Sequence, residues 1–535
     1  MRKLNFSSTL RAGLKRQGVI LVTAMILLTV VAFSAFQLAS WANNSLKIAI
    51  AIRQQIDLRV AMHSGVSQMC LRLRQGMIFP GQTDNEAVST CQVRTGTVHD
   101  PVTVSACRPV SDDSNEIRVN GFTDESAKLD VNWAAGLEAQ AGRTLLMHVP
   151  GMTIQAADSI LDWIDSDHTP RQFGAERNYY VSQHSRSLPP NTGISDLKEL
   201  LAVRQVSFDQ LFGTPVTERS LAGPDSASSL QLRKTQSSYQ QTARPIQPWN
   251  NFLTVFAAEE DATRTQRIPL NSDDLKMVYE SVKEELGKEA AQYIVAVRLF
   301  GIKQRQSQSS ARSQVQNVRT RIEEQLGMQD PSDDRKQSDP ELKTLGGFDA
   351  SGGPRWSVDS FYDLIGTFVI PTTGNRRHKV LRSPWQGDNK TGAELVVKIS
   401  EVLSLAGEQP RRGRLNINEA PEELLRSLPD ITDTHIKKLL SSRNQRVRNI
   451  QPAQCRTTEW LLTENVANID LVRKWGPYIT GCGDVMTADI FSASDSGNGP
   501  VLTCRLSLSA ASEPPRVLYA DSARLVPANV RTMLP

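Results

Sequence analysis

The segment that decides the fold is RQGVILVTAMILLTVVAFSAFQLASWANNSL, residues 16–46. It holds no charged residue after Arg16, and its apolar part, from Val19 to Ala42, is long enough to cross a bilayer as one helix. Residues 1–16 carry no acid and five basic residues, namely Arg2, Lys3, Arg11, Lys15 and Arg16. By the positive-inside rule, the basic side stays in the cytoplasm and everything after Trp41 is exported. The sequence therefore predicts a single-pass protein of the cytoplasmic membrane.

The residues in front of the apolar run indicate a processing site. A secretory signal peptide is cut after a shorter apolar core, whereas here the cut fits before the core, between Gly18 and Val19. This pattern resembles a prepilin leader, with an uncleaved anchor as the simpler alternative. From Leu46 to Leu73, helix formers continue with apolar residues three and four positions apart. One long helix leaving the membrane is predicted.

A series of motifs in the middle of the chain carries a second resemblance. They are KLDVN at 128–132, VPGM at 149–152, LDWIDSDHTPR at 161–171, GAE at 174–176, YY at 179–180, LKEL at 197–200, RLNINEAPEEL at 414–424 and LP at 428–429. In order and spacing they closely resemble general secretion pathway protein K, the K-type minor pseudopilin of type II secretion. The resemblance covers roughly 1–212 and 405–525.

Position 5 after the predicted cut agrees with this resemblance. Most pilin-like proteins carry Glu there, and its carboxylate meets the N-terminal ammonium of the neighbouring subunit in apolar surroundings. This chain has Thr23 instead, which in the resembled family marks the subunit at the pseudopilus tip. The resemblance implies a non-enzymatic role in protein secretion across the outer membrane. It also implies cleavage and methylation by a prepilin peptidase, partners of the I and J minor-pseudopilin type within the pseudopilus, and a periplasmic body anchored in the inner membrane.

An internal repeat is visible without the family. The stretches Lys128–Asn132, Arg267–Asn271 and Arg414–Asn418 share the pattern basic, apolar, any residue, apolar, Asn. Each is followed by two short helical patterns, which predicts helix-hairpin-helix (SAM-like) units whose motif residues are Asn132, Asn271 and Asn418. In the third copy Asn418 is predicted to cap a helix that begins near Ala420.

Such units often bind DNA phosphates, so the alternative is a single-pass anchored helix-hairpin-helix protein that binds DNA or another extracytoplasmic ligand. Two observations disfavour nucleic acid. The 61 Lys and Arg nearly balance 57 Asp and Glu, with a net charge of +4. Only the hairpin at Pro150-Gly151 has the glycine that phosphate binding needs, while Leu428-Pro429-Asp430 places a carboxylate there. A packing or protein-contact role is favoured.

The acidic stretch from Asp162 to Glu176 is the candidate metal site, because the resembled family binds calcium in this part of the fold. Counted from Asp165, three acids match oxygen-ligand positions of an EF-hand, but Pro170 stands where that loop needs Gly. The competing interpretation is a structural salt bridge of Glu176 or Asp167 with Arg171 or Arg177. The predicted ligands are Asp162, Asp165, Asp167 and Glu176.

Short strand patterns flank the helical region on both sides, over 77–123 and 476–535. By resemblance, the two regions pair in one small antiparallel pilin-like sheet and the large helical domain is inserted between them. The predicted class is α+β. The predicted segments are leader 1–18, membrane and extended helix 19–76, strands 77–123, first helical unit 124–212, linker 213–250, second helical unit 251–302, flexible linker 303–353, third helical unit 354–475 and strands 476–535.

The cysteines suit an oxidising compartment, with their pairing left open. The disulfide candidates are Cys91, Cys107, Cys455, Cys482 and Cys504. No Gly-x-Ser-x-Gly, Walker loop, His-Glu-x-x-His or Cys-x-x-Cys motif occurs, so no enzyme is predicted.

Overall fold

The computed structural model describes most of the chain. The described residues are 9–74, 89–94, 101–112, 115–137, 139–213, 247–259, 267–302, 344–373, 376–377, 380–387, 389–405, 411–447, 458–494, 501–509, 516–521 and 523–526. Residues 1–8 of the predicted leader, 214–246 and 303–343 of the two predicted linkers, and Cys455 lie outside them.

The N-terminal helix α1 runs unbroken from Thr9 to Arg74. Its stretch Ile20–Leu73 contains a window long and apolar enough to cross a membrane. Hydroxyl groups in the apolar part donate to carbonyls of the same helix, as Thr23 does to Ile20 at 2.9 Å. Because the bilayer core offers no water as a partner, a spanning helix needs such internal bonds. The helix fits a single-pass anchor.

An antiparallel sheet of eight strands packs against the part of α1 beyond the apolar segment. The strands are β1 (Thr90–Val93), β2 (Val102–Asp112), β3 (Asn115–Asn120), β4 (Thr123–Asp124), β17 (Val485–Ser494), β18 (Val501–Ser509), β19 (Arg516–Ala520) and β20 (Arg524–Val526). The order is β1-β2-β17-β18-β19, with β3 on β2, β4 on β17 and β20 on β18. Since β2 pairs with β17, strands from both sides of the helical region share one sheet, as expected.

The contact between α1 and this sheet is close because of one glycine. A Cβ added at Gly65 would lie 2.7 Å from Val104 Cγ1 on β2. Ser492 Oγ of β17 donates to Leu58 O of α1 at 2.9 Å, which fixes the helix along the sheet. The apolar side chains that α1 buries here are Leu58, Ala61, Met62, Met69 and Leu73.

The chain between β4 and β17 forms three helical units, each closed by a two-residue parallel strand pair. In the first, β5 (Leu129–Asp130) pairs with β6 (Leu253–Thr254). In the second, β7 (Ile268–Pro269) pairs with β14 (Leu403–Ser404), and in the third, β15 (Leu415–Asn416) pairs with β16 (Ile479–Thr480). The opening strand of every pair lies in one copy of the sequence repeat, so the repeat marks the start of a structural unit.

The remaining elements lie between these closing pairs. In the first unit they are α2 (Val131–Gly136), α3 (Ala139–Leu146), α4 (Ile154–Ile164), α5 (Arg177–Ser182) and α6 (Phe208–Phe212). In the second they are α7 (Leu275–Leu286), α8 (Lys288–Phe300), β8 (Thr344–Leu345), β9 (Phe348–Asp349), β10 (Phe368–Val369), β11 (Thr372–Thr373), β12 (Arg376–Arg377), β13 (Leu381–Arg382) and α9 (Asn389–Val402). In the third they are α10 (Glu422–Leu425), α11 (Asp433–Val447), α12 (Trp460–Thr463) and α13 (Ile469–Trp475). Short 3₁₀ turns cover Glu125–Ala127, Leu197–Ala202, Trp249–Asn251 and Phe361–Leu364.

The strand pairing places the end of the second unit at Ser404, well beyond the predicted boundary at 302. The two connectors between units also pair, since Glu259 and Arg411 form an antiparallel bridge with N to O distances of 2.8 and 2.9 Å. All three units share one hydrophobic core.

Candidate functional site

The acidic loop connects α4 to α5 in the first unit. Helix α4 carries Asp158 and Asp162 one turn apart and is capped at its C-terminus by Asp165. Glu176 is the N-cap of α5 and accepts a hydrogen bond from Arg177 N at 3.2 Å. The two helix ends thus bring acids from both sides of the loop together.

Asp158 is fully buried, and both of its carboxylate oxygens are engaged by an arginine. Its two carboxylate oxygens accept from Arg143 Nε at 2.6 Å and from Arg143 Nη2 at 2.7 Å. Phe173 N donates a third bond at 3.1 Å. This bidentate pair was not predicted, since the basic partner lies on α3, fifteen residues before its acid.

Asp162, one of the four predicted ligands, is also held by an arginine. Its carboxylate accepts from Arg171 Nη1 at 2.7 Å and from Arg171 N at 3.1 Å, and the same Nη1 contacts Asp165. The salt bridge expected for Arg171 is therefore present, with Asp162 and Asp165 as its acids instead of Glu176 or Asp167. A Cβ at Gly174 would lie 1.9 Å from Asp162 Oδ2, so only glycine lets the loop pass this carboxylate.

The other three predicted ligands converge. One carboxylate oxygen each of Asp165, Asp167 and Glu176 lies within 4.8 Å of the others. Asp165 Oδ1 and Glu176 Oε1 are buried and accept no hydrogen bond, while Asp167 is exposed to solvent. A hard cation such as Ca²⁺ prefers carboxylate oxygens in this kind of flexible loop. The donor set therefore fits calcium.

The electrostatics of the cluster agree with this fit. Burial raises the pKa of Asp165, and the carboxylates of Asp167 and Asp162 raise it further against the opposing effect of Arg171. Burial likewise raises the pKa of Glu176, with Asp165 and Asp162 adding to the rise. A cation among these oxygens would favour their charged forms, so protons and metal compete for the cluster.

Two of the repeat asparagines make the same pair of backbone hydrogen bonds. Asn132 donates to Ile194 O at 3.0 Å and accepts from Ile194 N at 2.9 Å. Asn271 donates to Val358 O at 3.0 Å and accepts from Val358 N at 2.8 Å. In both units the amide joins the chain just after the opening strand to a segment more than sixty residues further on. These asparagines have a structural role.

Asn418 behaves differently from the prediction. It donates to Gly481 O at 2.7 Å, beside the closing strand of the third unit. Helix α10 begins at Glu422, and Pro421 at its N-cap position provides no side-chain bond. The predicted cap by Asn418 is therefore wrong, because its amide is used across the unit instead of along the chain.

A buried tryptophan donates a hydrogen bond to the helix-helix turn of the first unit, at Pro150, and another does so in the third unit, at Pro429. Trp249 Nε1 donates to Pro150 O at 3.0 Å, and Trp475 Nε1 donates to Pro429 O at 2.7 Å. Each indole lies four residues before the closing strand of its unit. The shared contact shows that these two units are built alike, whereas the corresponding position of the second unit is Ile399.

The hairpin of the third unit is unsuited to phosphate. Asp430 adopts a positive φ of 56° and accepts from Lys474 Nζ at 2.5 Å. Nearby Arg426 is likewise bonded to the acids Glu422 and Asp433, at 2.6 Å each. Since these cations already face carboxylates, they add little attraction for a polyanion.

A second buried acidic site, here called the neck, lies where the helical units join the sheet. Asp124 is fully buried and accepts from Gly483 N at 2.6 Å, Asn416 Nδ2 at 2.8 Å and Ser126 N at 2.8 Å. Asp124 N donates to Glu419 Oε2 at 3.3 Å. Burial raises the pKa of Asp124 to about 6 and that of Glu419 to about 8, and the charge of Asp124 adds to the rise at Glu419. The neck was not predicted, because its partners are far apart in sequence.

The predicted cysteine and leader residues are spread along the chain. No disulfide joins any two of the described residues Cys70, Cys91, Cys107, Cys482 and Cys504. Burial raises the pKa of the Cys91 and Cys504 thiols. Gly18, Val19 and Thr23 all lie within the continuous helix α1.

Comparison with known proteins bears on the first helical unit. Residues 127–211, which include the acidic loop, match the family model described as type II secretion system (T2SS), protein K. This segment is similar to the first domain of protein K. The resemblance carried by the motifs between Lys128 and Leu200 is thereby confirmed. No curated protein matches the chain.

One solved structure provides a remote similarity. The chain is similar to a chain of the GspK-GspI-GspJ complex of the Type 2 Secretion System from enterotoxigenic Escherichia coli, at 10% identity. The match covers 90% of this chain and 98% of that chain with a TM-score of 0.30.

Proposed function

We propose that the chain is a non-enzymatic K-type minor pseudopilin at the tip of a type II secretion pseudopilus. The observation that carries the proposal is the match of residues 127–211 to the protein K family, behind an N-terminal apolar helix. Thr23 supports the tip position, because its hydroxyl is bonded to its own helix and offers no carboxylate to a neighbouring subunit's ammonium. The body then lies in the periplasm and contacts minor pseudopilins of the I and J type.

The mature N-terminus tests this proposal. Protein from membranes of cells with and without prepilin peptidase is analysed by mass spectrometry. We expect a peptidase-dependent, methylated Val19 as the first residue, and co-purification of I-type and J-type subunits with the processed form. An intact Met1 in both strains contradicts the proposal and favours the alternative, an anchored protein that holds DNA or another ligand. Binding of labelled duplex DNA to the purified chain would then distinguish a DNA-binding protein from one that holds another ligand.

We further propose that the first unit binds calcium through Asp165, Asp167 and Glu176. The support is the convergence of their oxygens within 4.8 Å together with the two buried oxygens that lack a partner. The ion would supply positive charge that joins the two ends of the acidic loop, and so would stabilise the unit instead of catalysing a reaction. A ligand at one hundred times its Kd stabilises the folded state by about 2.7 kcal/mol.

Calorimetry on the full chain in detergent tests the calcium proposal. We expect saturable heat on addition of calcium and a higher unfolding temperature in its presence. Both should be lost in the double variant Asp165→Ala and Glu176→Ala, and both should remain in Asp209→Ala, which removes an exposed acid of the same unit. Heat no larger than dilution for the unaltered chain would contradict the proposal.

A further inference from the structure

Arg171 lies inside the acidic loop as a second, built-in cation. Its Nη1 donates to Asp162 Oδ1 at 2.7 Å and also contacts Asp165 Oδ2. Asp162 is completely buried and the Arg171 side chain is only 12% exposed, so solvent screens the attraction little. The guanidinium therefore neutralises part of the same carboxylate group that offers oxygens to a metal ion.

The hydrogen bonding of this arrangement is incomplete. One side-chain nitrogen of Arg171, Nη1, contacts both carboxylates, so the guanidinium forms no bidentate pair with either of them. Arg171 Nε, Asp165 Oδ1 and Glu176 Oε1 are all buried without a hydrogen-bond partner. A buried polar group without a partner is unfavourable, so the metal-free loop holds unsatisfied acceptors beside the cation that balances them.

We propose that Arg171 sets the calcium affinity of the loop by acting as its internal counter-cation. The inference rests on the calcium site proposed above. Four carboxylates and one guanidinium leave a net charge of about −3 in the loop, against −4 without the arginine, and metal affinity rises with the charge of the ligand set. Arg171 keeps the loop folded without metal and, through repulsion and its hold on Asp165, weakens the site for a divalent ion.

The test compares charge-removing and charge-keeping variants of the full chain in detergent. Calcium is the titrant, and the readouts are its Kd by calorimetry and the unfolding temperature with and without calcium. We expect Arg171→Gln to bind calcium about tenfold more tightly and to unfold at a lower temperature in its absence. Arg171→Lys should keep an affinity close to that of the unaltered chain. The matched control is Arg177→Gln, which removes an exposed cation next to the loop and should change neither readout.

Loss of Arg171 alone leaves the buried Asp162 without its partner, so that variant can fail to fold. The double variant Asp162→Asn with Arg171→Gln removes both charges and avoids this problem. We expect it to bind calcium more tightly than the unaltered chain but less tightly than Arg171→Gln, because Asp165 is released from the guanidinium while the net charge of the loop stays about −3.

The outcomes separate this inference from the calcium proposal. Binding by the unaltered chain with unchanged affinity in both arginine variants overturns the role of Arg171 and leaves the calcium site standing. Binding only after Arg171 is removed overturns the calcium site of the natural chain and supports the role of Arg171. Absence of binding in every form overturns both.

Discussion

Replacing Gly413 by alanine is expected to destabilise the chain by about 2 to 5 kcal/mol. Gly413 lies in the connector between the second and third units with a φ of +77°, a conformation that costs a residue with a side chain about 1 to 2 kcal/mol. A Cβ there would lie 2.0 Å from Cγ of Trp133 in the first unit. Trp133 cannot retreat freely, since its ring is buried and makes an edge contact with Tyr478 at 6.3 Å. The steric clash should cost about 1 to 3 kcal/mol more.

Gly366→Ala is the matched control for this prediction. Gly366 has a similar φ of +64° but nothing within 4 Å of the added atom, so it isolates the backbone cost of about 1 to 2 kcal/mol. Denaturant unfolding of the full chain in detergent measures both variants. If Gly413→Ala is no worse than Gly366→Ala, the connector moves away from Trp133 and the first and third units are not fixed to each other at this point.

The parts of the fold that the sequence predicted depend on neighbours close in the chain. The apolar run gave helix α1 because helix formation is decided within a few residues. Helix α7 (Leu275–Leu286) is one of the short helices predicted after the second repeat copy, and it was predictable because an apolar stripe and the following Gly287 are local signals. Three of the four predicted metal ligands meet because they lie within twelve residues of one another.

The parts that could not be predicted depend on partners that no local pattern connects. Asp124 bonds Asn416 and Gly483, which are 292 and 359 residues away. The sequence repeat drew attention to the last asparagine of its third copy, whereas Asn416 is the one that reaches the neck. The bond between Asp162 and Arg171 was missed for a related reason, because only the course of the loop shows that Arg171 reaches this acid.

Glutamine in place of Glu419 is expected to stabilise the chain at pH 8 and to flatten the dependence of its stability on pH. The pKa of Glu419 is about 8 in the folded chain against an ordinary value of 4.5, because burial and the nearby Asp124 disfavour its charge. The folded state thus binds more protons than the unfolded state between about pH 4.5 and 8. Stability is highest below this window and falls as pH rises through it, by at most about 1.4 kcal/mol per pH unit.

The charged groups around Glu419 come from several elements. Asp124 of β4 raises its pKa, whereas Arg108 of β2 and Arg443 of α11 lower it. Burial, with a further contribution from Asp484 next to β17, raises the pKa of Asp124 from its ordinary value of 3.8 to about 6. Asp124 therefore adds its own loss of stability as pH rises from about 4 to 6. That part of the slope should remain in the Glu419→Gln variant.

Unfolding free energies measured from pH 4 to pH 8.5 on the full chain decide the matter. We expect Glu419→Gln to match the unaltered chain near pH 4 and to exceed it by about 2 kcal/mol or more at pH 8. Glu423→Gln, an exposed acid four residues further on, should follow the unaltered chain at every pH. The amide of Gly483 is bonded to the neck carboxylate of Asp124, so its hydrogen exchange reports on the neck. We expect exchange of the peptide containing Gly483 to accelerate towards pH 8, beyond the intrinsic rate, only in proteins that keep Glu419. Parallel pH curves for all three proteins would show that Glu419 ionises at the neck without opposing the fold, and that Arg108 and Arg443 compensate its charge in full.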